Sequence, residues 1–192
     1  MNKIGEFRTE LARKGIHIFI ALVPLLAAAD RPDTVLLLMA GVLFYACAES
    51  MRFLGIPLPL ISVVTAAVSR KRERFALGPL TLGLGAILAL LIFPPPAAAA
   101  AIYALAFGDS ASVLIGRFLG RIRPAFLSGK SLEGIMACFI AASISGYLVY
   151  GNWRTALAVG LASLLVDTLP IGDFDNILMP LAAGLGAIIF AG

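Results

Sequence analysis

Apolar runs of membrane-crossing length recur along almost the whole chain, and that property decides what it can fold into. Sixty per cent of the 192 residues are hydrophobic and 14% are charged; the mean hydropathy is +0.99. A chain of this composition is an integral helical membrane protein. A spanning helix needs roughly 20 apolar residues, fewer where its ends are buried in protein. Seven segments qualify, at about 14–29, 34–51, 77–93, 97–118, 133–150, 154–169 and 176–191. The stretch from Ile56 to Val68 is shorter, carries Pro57 and Pro59, and runs into Arg70-Lys71-Arg72-Glu73-Arg74. It reads as an interfacial or re-entrant helix. The expectation is an all-α, polytopic protein of about seven transmembrane helices, one membrane domain over 1–192. Almost nothing is left over for a soluble domain, so any chemistry must lie in the membrane or at its edge. No repeat of fixed period is visible, and Pro94-Pro95-Pro96 followed by Ala97–Ala101 reads as a rigid turn into a close-packing helix.

Orientation follows from the cations. Of 15 Lys and Arg, only Arg31 and Arg154 fall in connections on the far side, which leaves 13 before the first segment, between the second and third, or between the fourth and fifth. Positive residues mark cytoplasmic loops, so the N-terminus is expected inside, in a multi-pass protein of the cell's inner or plasma membrane. The net charge of +4 then reflects orientation and anionic lipid rather than a nucleic-acid partner. Cys47 and Cys138 lie inside apolar segments without paired spacing, which argues against a disulfide frame or a zinc site. Lys3 to Ala29 imitates a signal peptide, but Glu6, Glu10 and His17 favour its retention.

Against this background the polar clusters stand out, because an ionisable group in a membrane is costly unless it meets a partner, a cavity or a ligand. Asp109 lies near the end of the fourth segment, with Arg117 two turns further on the same face as a plain charge partner. Gly108, Ser112, Gly116 and Gly120 recur every four residues, a small-residue stripe that serves helix packing as well as it serves a ligand. Arg117, Arg121, Arg123 and Lys130 follow in a loop that ends Gly129-Lys130-Ser131-Leu132-Glu133-Gly134. A lysine at a helix N-terminus suits an anion; Ser131 as a helix cap with Glu133 in the first turn is the plainer alternative. Asp167, Asp173, Asp175 and Asn176 offer oxygen ligands of the kind Mg2+ takes, alongside the alternative that Asp175 or Asn176 caps the last helix. Glu10, Lys14 and His17 share a helical face beside Arg13, and Glu49 and Arg52 stand three apart. Under the charge-derived topology every such acid except Asp30 and Asp33 falls on the cytoplasmic side. A transporter places its polar groups near the midplane. Polar groups gathered at one face suit an enzyme that takes a soluble anion from the cytosol and a lipid from the bilayer.

These residues form a pattern. It reads E-x-x-R-K-x-x-H at Glu10–His17, E-x-x-R at Glu49–Arg52 and G-P-L-T at Gly78–Thr81. It continues with a glycine-rich segment at Gly108–Gly120, K-S-x-E-G at Lys130–Gly134 and D-N-x-x-x-P-L at Asp175–Leu181. Over nearly its whole length the chain resembles the CTP-dependent lipid-alcohol kinases: dolichol kinase, phytol kinase and the fungal-type diacylglycerol kinase. One departure is Asp167, where the resemblance leads one to expect glutamate. The resemblance implies transfer of the γ-phosphoryl group of CTP to the hydroxyl of a membrane lipid alcohol (a polyprenol, phytol or a diacylglycerol). It implies Mg2+ or another divalent cation as cofactor, at Asp109, Asp173, Asp175 and Asn176. Asp109 and Lys130 are the implied catalytic pair. Gly108, Ser112, Gly116, Arg117, Gly120, Arg121, Ser131, Glu133, Gly134, Arg13, Lys14 and His17 are the implied nucleotide and phosphate contacts, with Glu49, Arg52 and Asp167 in support. The related phosphatidate cytidylyltransferases share only the glycine-rich segment and the K/E/G motif; their C-terminal histidine and Asp-Arg-x-Asp run are missing here. CDP-lipid synthesis is therefore the alternative, and a small lipid carrier a second. A homo-oligomer is compatible with either.

The topology is testable by cysteine labelling in intact cells and inverted vesicles. A cysteine at position 123 or 130 labels only from the cytoplasmic side and one at 152 or 153 only from outside; labelling of Lys130 and Asn152 positions from one side overturns the arrangement.

Overall fold

The computed structural model describes residues 3–56, 75–127 and 129–191. Helix α1 (Lys3–Phe19) passes through a 3-10 turn (Ile20–Leu22) into α2 (Val23–Ala29). Then come α3 (Arg31–Phe53), α4 (Gly78–Ile92) and α5 (Pro95–Tyr103), which continues through a π-helical turn (Ala104–Asp109) into α6 (Ser110–Phe118). The last three are α7 (Leu132–Tyr150), α8 (Trp153–Thr168) and α9 (Asp175–Phe190). No strand occurs among the described residues. All seven expected segments are helical, with ends within a few residues of the sequence reading except at the first, whose helix already starts at Lys3. Five stretches are long and apolar enough to cross a membrane: Glu10–Ala29, Arg31–Phe53, Pro95–Phe118, Leu132–Tyr150 and Gly172–Phe190. The helices Gly78–Ile92 and Trp153–Thr168, of 15 and 16 residues, are shorter. The interfacial helix expected after Ile56 lies outside the described residues.

Local chemistry sets the boundaries. Asp30 accepts from the Asp33 N–H at 2.8 Å and so caps α3, with Pro32 in the first turn where no N–H is needed. Gly151, at φ +64°, stops α7, and Asn152 caps α8 by accepting from Arg154 N–H at 2.9 Å.

Helices α5 and α6 form the centre. Ala97, Ala98, Ala100, Ala101, Ile102, Ala104, Leu105 and Ala106 are almost wholly buried. Alanines on this scale let neighbouring backbones come close, which is how helices gain contact where lipid removes the hydrophobic drive. The outer helices show the reverse face: Leu36, Leu37, Leu148, Leu165 and Ile189 are all more than half exposed, as a lipid-facing surface requires. Glycine allows a close backbone approach at Gly85 of α4, where a Cβ would sit 2.0 Å from the carbonyl oxygen of Asn176 on α9.

Polar links at the helix ends fix which ends lie together. Arg31 at the start of α3 donates to the carbonyls of Leu90 and Phe93 at the end of α4 (2.6 Å to Phe93), and Thr155 at the start of α8 donates to Phe190 O at 2.8 Å. At the opposite end Tyr45 donates to Ala76 O at 3.1 Å and the Ala76 N–H to Glu49 at 2.8 Å. Asp30 and Asp33 thus belong to one end of the bundle, and Glu49, Asp167, Asp173 and Asp175 to the other.

Gly85→Ala should separate α4 from α9 and cost about 1–3 kcal/mol, the scale of overpacking a tight contact, read as a lower unfolding temperature in detergent. Gly41→Ala, where a Cβ meets nothing within 4 Å, should be neutral or slightly stabilising.

Candidate active site

The π-helical turn at Ala104–Asp109 adds a residue to one helical turn and re-aims the side chains of the helix after it, a device that recurs at functional sites. Gly108 within it lies against α7, its Cβ position 3.4 Å from Cys138 Sγ and Ala142 Cβ. Asp109 closes the turn, 3% exposed. Lys14 and His17 on α1 are three residues apart, hence on one face, and both reach it. Lys14 Nζ donates to Asp109 Oδ2, and His17 Nδ1 stands 2.7 Å from the same oxygen, off the line of a good hydrogen bond. All three side chains are buried, so the carboxylate charge depends on these contacts. The sequence reading offers Arg117 as the charge partner of Asp109; the structure gives that place to Lys14 and His17.

One turn beyond Asp109, Ser112 donates to Asp167 Oδ2 at 2.7 Å. Lys130 approaches Asp167 from α7's leading loop, donating to Oδ1 at 2.9 Å and to the backbone carbonyl of the same residue. The short carboxylate at 167 is therefore engaged on both oxygens. On the α1 side Arg13 donates to Asp173 Oδ1 at 2.7 Å and has Glu10 at 3.9 Å. Asp175 begins α9, two residues beyond Asp173. Five helices, α1, α6, α7, α8 and α9, so converge on one knot of opposite charges.

The capping alternative for α9 does not hold. No side chain caps that helix. Asn176 instead spans to α4, donating to Thr81 Oγ1 at 3.0 Å and Gly78 O at 3.4 Å. Its Oδ1 is buried and has no hydrogen-bond donor among the described residues. Thr81 is absent from the sequence-derived site although the G-P-L-T motif contains it. Nothing local shows that its partner lies 95 positions away.

Beside the knot opens a cleft of about 180 Å3 lined by Ser112, Val113, Gly116, Arg117, Arg123, Gly129, Lys130 and Ser131. This is below the ~300–1,000 Å3 of pockets that enclose a drug-sized ligand, and it is walled by cations, so it suits a phosphate-bearing end rather than a whole nucleotide. Several expected phosphate contacts also serve the framework. Ser131 caps α7, accepting from Gly134 N–H at 3.1 Å and donating to Gly116 O at 3.4 Å. Glu133 accepts from the N–H groups of Arg121 (2.9 Å) and Ile122 (3.2 Å) and pins the loop. Arg123 donates to Gly129 O and Gly116 O at 2.6 and 2.7 Å. Gly116, Gly120 and Gly134 make room between α6 and α7: a Cβ on Gly134 would be 2.6 Å from Ser112 O. Arg121 is exposed at the surface of the loop. Glu49, fully buried, holds Arg52 through two hydrogen bonds (2.8 and 2.5 Å) as well as the Ala76 N–H, clipping the end of α3 to the approach of α4.

A cage of several carboxylates around a metal does not fit this arrangement. Among the described residues no three His, Cys, Asp or Glu side chains converge closely enough to hold an ion. Asp109 and Asp173, two of the expected ligands, each hold a cation already. Asp175 and the undonated Asn176 Oδ1 are oxygen groups of the kind Mg2+ takes, one or two of them together with substrate phosphates and water.

No family model and no solved structure matches the chain. Curated relatives do. A probable chloroplastic phytol kinase of Triticum aestivum is 27% identical over 207 aligned positions, covering 95% of this chain and 68% of that protein. A probable phytol kinase 2 of Oryza sativa is 28% identical, covering 98% and 69%. The CTP-dependent diacylglycerol kinase 1 of Eremothecium gossypii is 33% identical over 94 positions, covering 48% of this chain and 30% of its own length. Over most of its length the chain is thus similar to proteins named as phytol kinases, and over about half of it to one named as a CTP-dependent diacylglycerol kinase.

Proposed function

We propose that the chain transfers the γ-phosphoryl group of CTP to the hydroxyl of a membrane lipid alcohol, at the cytoplasmic face. One observation carries the reading: a buried knot of paired charges, assembled from five helices at one end, with a cation-walled cleft opening beside it. Phosphoryl transfer asks for positioning and charge neutralisation more than for covalent chemistry, and this arrangement can supply both. The kinase names of the relatives supply the reaction class, and one of them names CTP.

In this reading Lys130 and Arg117 face the phosphates in the cleft, and Ser131, Glu133 and Arg123 keep the loop and α7 in register around them. Asp167 orients Lys130 and Ser112. Asp109, held by Lys14 and His17, receives the proton of the lipid hydroxyl as the new bond to phosphorus forms. Asp175 and Asn176 would hold Mg2+, which when bound neutralises charge on the phosphates. Arg13 and Asp173 fasten α1 to the start of α9, so that Lys14 and His17 stay on Asp109. A cytidylyltransferase would instead release pyrophosphate. The leaving product therefore separates the alternatives: purified protein with γ-labelled CTP or ATP and a panel of polyprenol, phytol and diacylglycerol should yield labelled lipid and CDP. Label released as pyrophosphate, or none transferred to any alcohol, overturns the proposal.

Two substitutions test the roles. Lys130→Ala should raise KM for CTP by about tenfold or more, since a charge-assisted phosphate contact contributes ~1.5–3 kcal/mol. Asp109→Asn should cut turnover by about a hundredfold or more. It should also destabilise, because it strands Lys14 among buried groups, a loss of ~3–5 kcal/mol for a broken buried pair. Adding Lys14→Met should recover the unfolding temperature without recovering turnover. Recovery of both in the double variant would make Asp109 structural only.

A further inference from the structure

Thr81 on α4 and Asn176 on α9 are in direct contact, and that contact decides which end of the Asn176 amide faces which way. We infer that Thr81 is a positioning residue for the transfer reaction: it turns the amide nitrogen of Asn176 toward α4, so that the oxygen is left for a divalent cation. The inference rests on the reading above in which Asp175 and Asn176 hold Mg2+, and adds what sets the direction of one of those ligands.

The hydrogen bonds allow the amide one orientation. Its α4 end meets two oxygens, Thr81 Oγ1 at 3.0 Å and the Gly78 carbonyl at 3.4 Å. A carbonyl oxygen only accepts, so the atom facing Gly78 must be the nitrogen, whose two protons serve both oxygens. The Thr81 hydroxyl has a single proton, and its own helix takes it up, with Gly78 O at 3.0 Å and Leu77 O at 3.2 Å. Toward Asn176 the hydroxyl therefore presents a lone pair. A flipped amide would set its oxygen against the Gly78 carbonyl and deprive the nitrogen of both acceptors.

What this leaves over is Oδ1. Asn176 is 1% exposed, and its oxygen has no hydrogen-bond donor among the described residues. A buried acceptor without a donor costs stability, and here the fold fixes it instead of letting it turn to a partner. The backbone cannot yield either, because Gly85 brings α4 against the Asn176 carbonyl. Direction matters to a cation: Mg2+ binds the oxygen of an amide and is repelled by its NH2 end. The same end of α4 borders the charged knot. A Cβ at Gly78 would stand 3.2 Å from Arg13 Nη2 and 3.7 Å from Asp173 Oδ2. Asp173 is paired with Arg13, whereas Asp175 immediately precedes Asn176. Thr81 acts through Asn176 alone and touches no substrate.

Mn2+ serves as the probe in a binding test that needs no turnover. The full chain is placed in nanodiscs of zwitterionic lipid with the β,γ-methylene analogue of CTP, and bound Mn2+ is read from the loss of the free-ion EPR signal against a protein-free control. Thr81→Val keeps the shape and removes the lone pair; it should weaken Mn2+ binding by about 10–100-fold, the scale for removing a group that orients a metal ligand. Thr81→Ser keeps the lone pair and should bind Mn2+ like the parent. Affinity for the analogue without metal should be the same in all three. Should Thr81→Val not fold, Thr81→Ala carries the same expectation. An equal loss in Thr81→Ser, or a matching loss of analogue affinity, makes the effect one of packing and overturns the inference. Parent-like Mn2+ binding in Thr81→Val together with its loss in Asn176→Ala overturns the role of Thr81 and leaves the cation reading standing. Unchanged Mn2+ binding in Asn176→Ala overturns both.

Discussion

The contact on which the arrangement depends is the one between Asp109 and the two α1 side chains, Lys14 and His17. A carboxylate at this depth cannot stay charged alone, and neither can a lysine. Each makes the other tolerable only while α1 and α6 keep their relative position. The pair therefore works as a fastening whose strength comes from the cost of opening it. Arg13 with Asp173 and Lys130 with Asp167 repeat the logic at two other junctions. The network couples elements distant in sequence: the first helix, the centre and the C-terminal helices all meet through charge.

Packing supplies the complement. Where lipid is as apolar as leucine, burying leucine gains little, and close backbone contact has to replace it. The alanine-filled centre of α5 and the glycines of α4, α6 and α7 are that replacement. They also explain why a charged knot can be so compact. Gly116 and Gly134 let α6 and α7 approach until Ser131 and Ser112 reach their partners.

Helix positions were legible in the sequence because a membrane leaves the backbone almost no alternative, so apolar run length and punctuation by Pro, Gly and capping residues carry the boundaries. The gathering of acids at one end was legible for a related reason: connectivity through short turns makes ends alternate. Partners were not legible. Spacing suggested Arg117 for Asp109 because residues eight apart share a helical face, whereas Lys14, 95 positions away, could be found only through tertiary contact. The same holds for Asn176, which looked like a cap and bridges to Thr81. Nor did the glycine stripe reveal its use, since close helix contact and close ligand approach ask for the same residue.

The π-helical turn before Asp109 has a consequence for how this site tolerates change. An α-helix turns about 100° per residue, so the one extra residue in Ala104–Asp109 offsets the rotational phase of α6 from that of α5. A chain that lost a single residue from this turn could relax to regular α-helix with every backbone hydrogen bond made, and its local helix would be more regular for it. Yet the carboxylate and Ser112 would swing away from α1 and α8 together. The irregular turn acts as a phase key: it lets the alanine face of α5 meet the core and the polar face of α6 meet the charges, two demands that one uninterrupted helix could not satisfy at once.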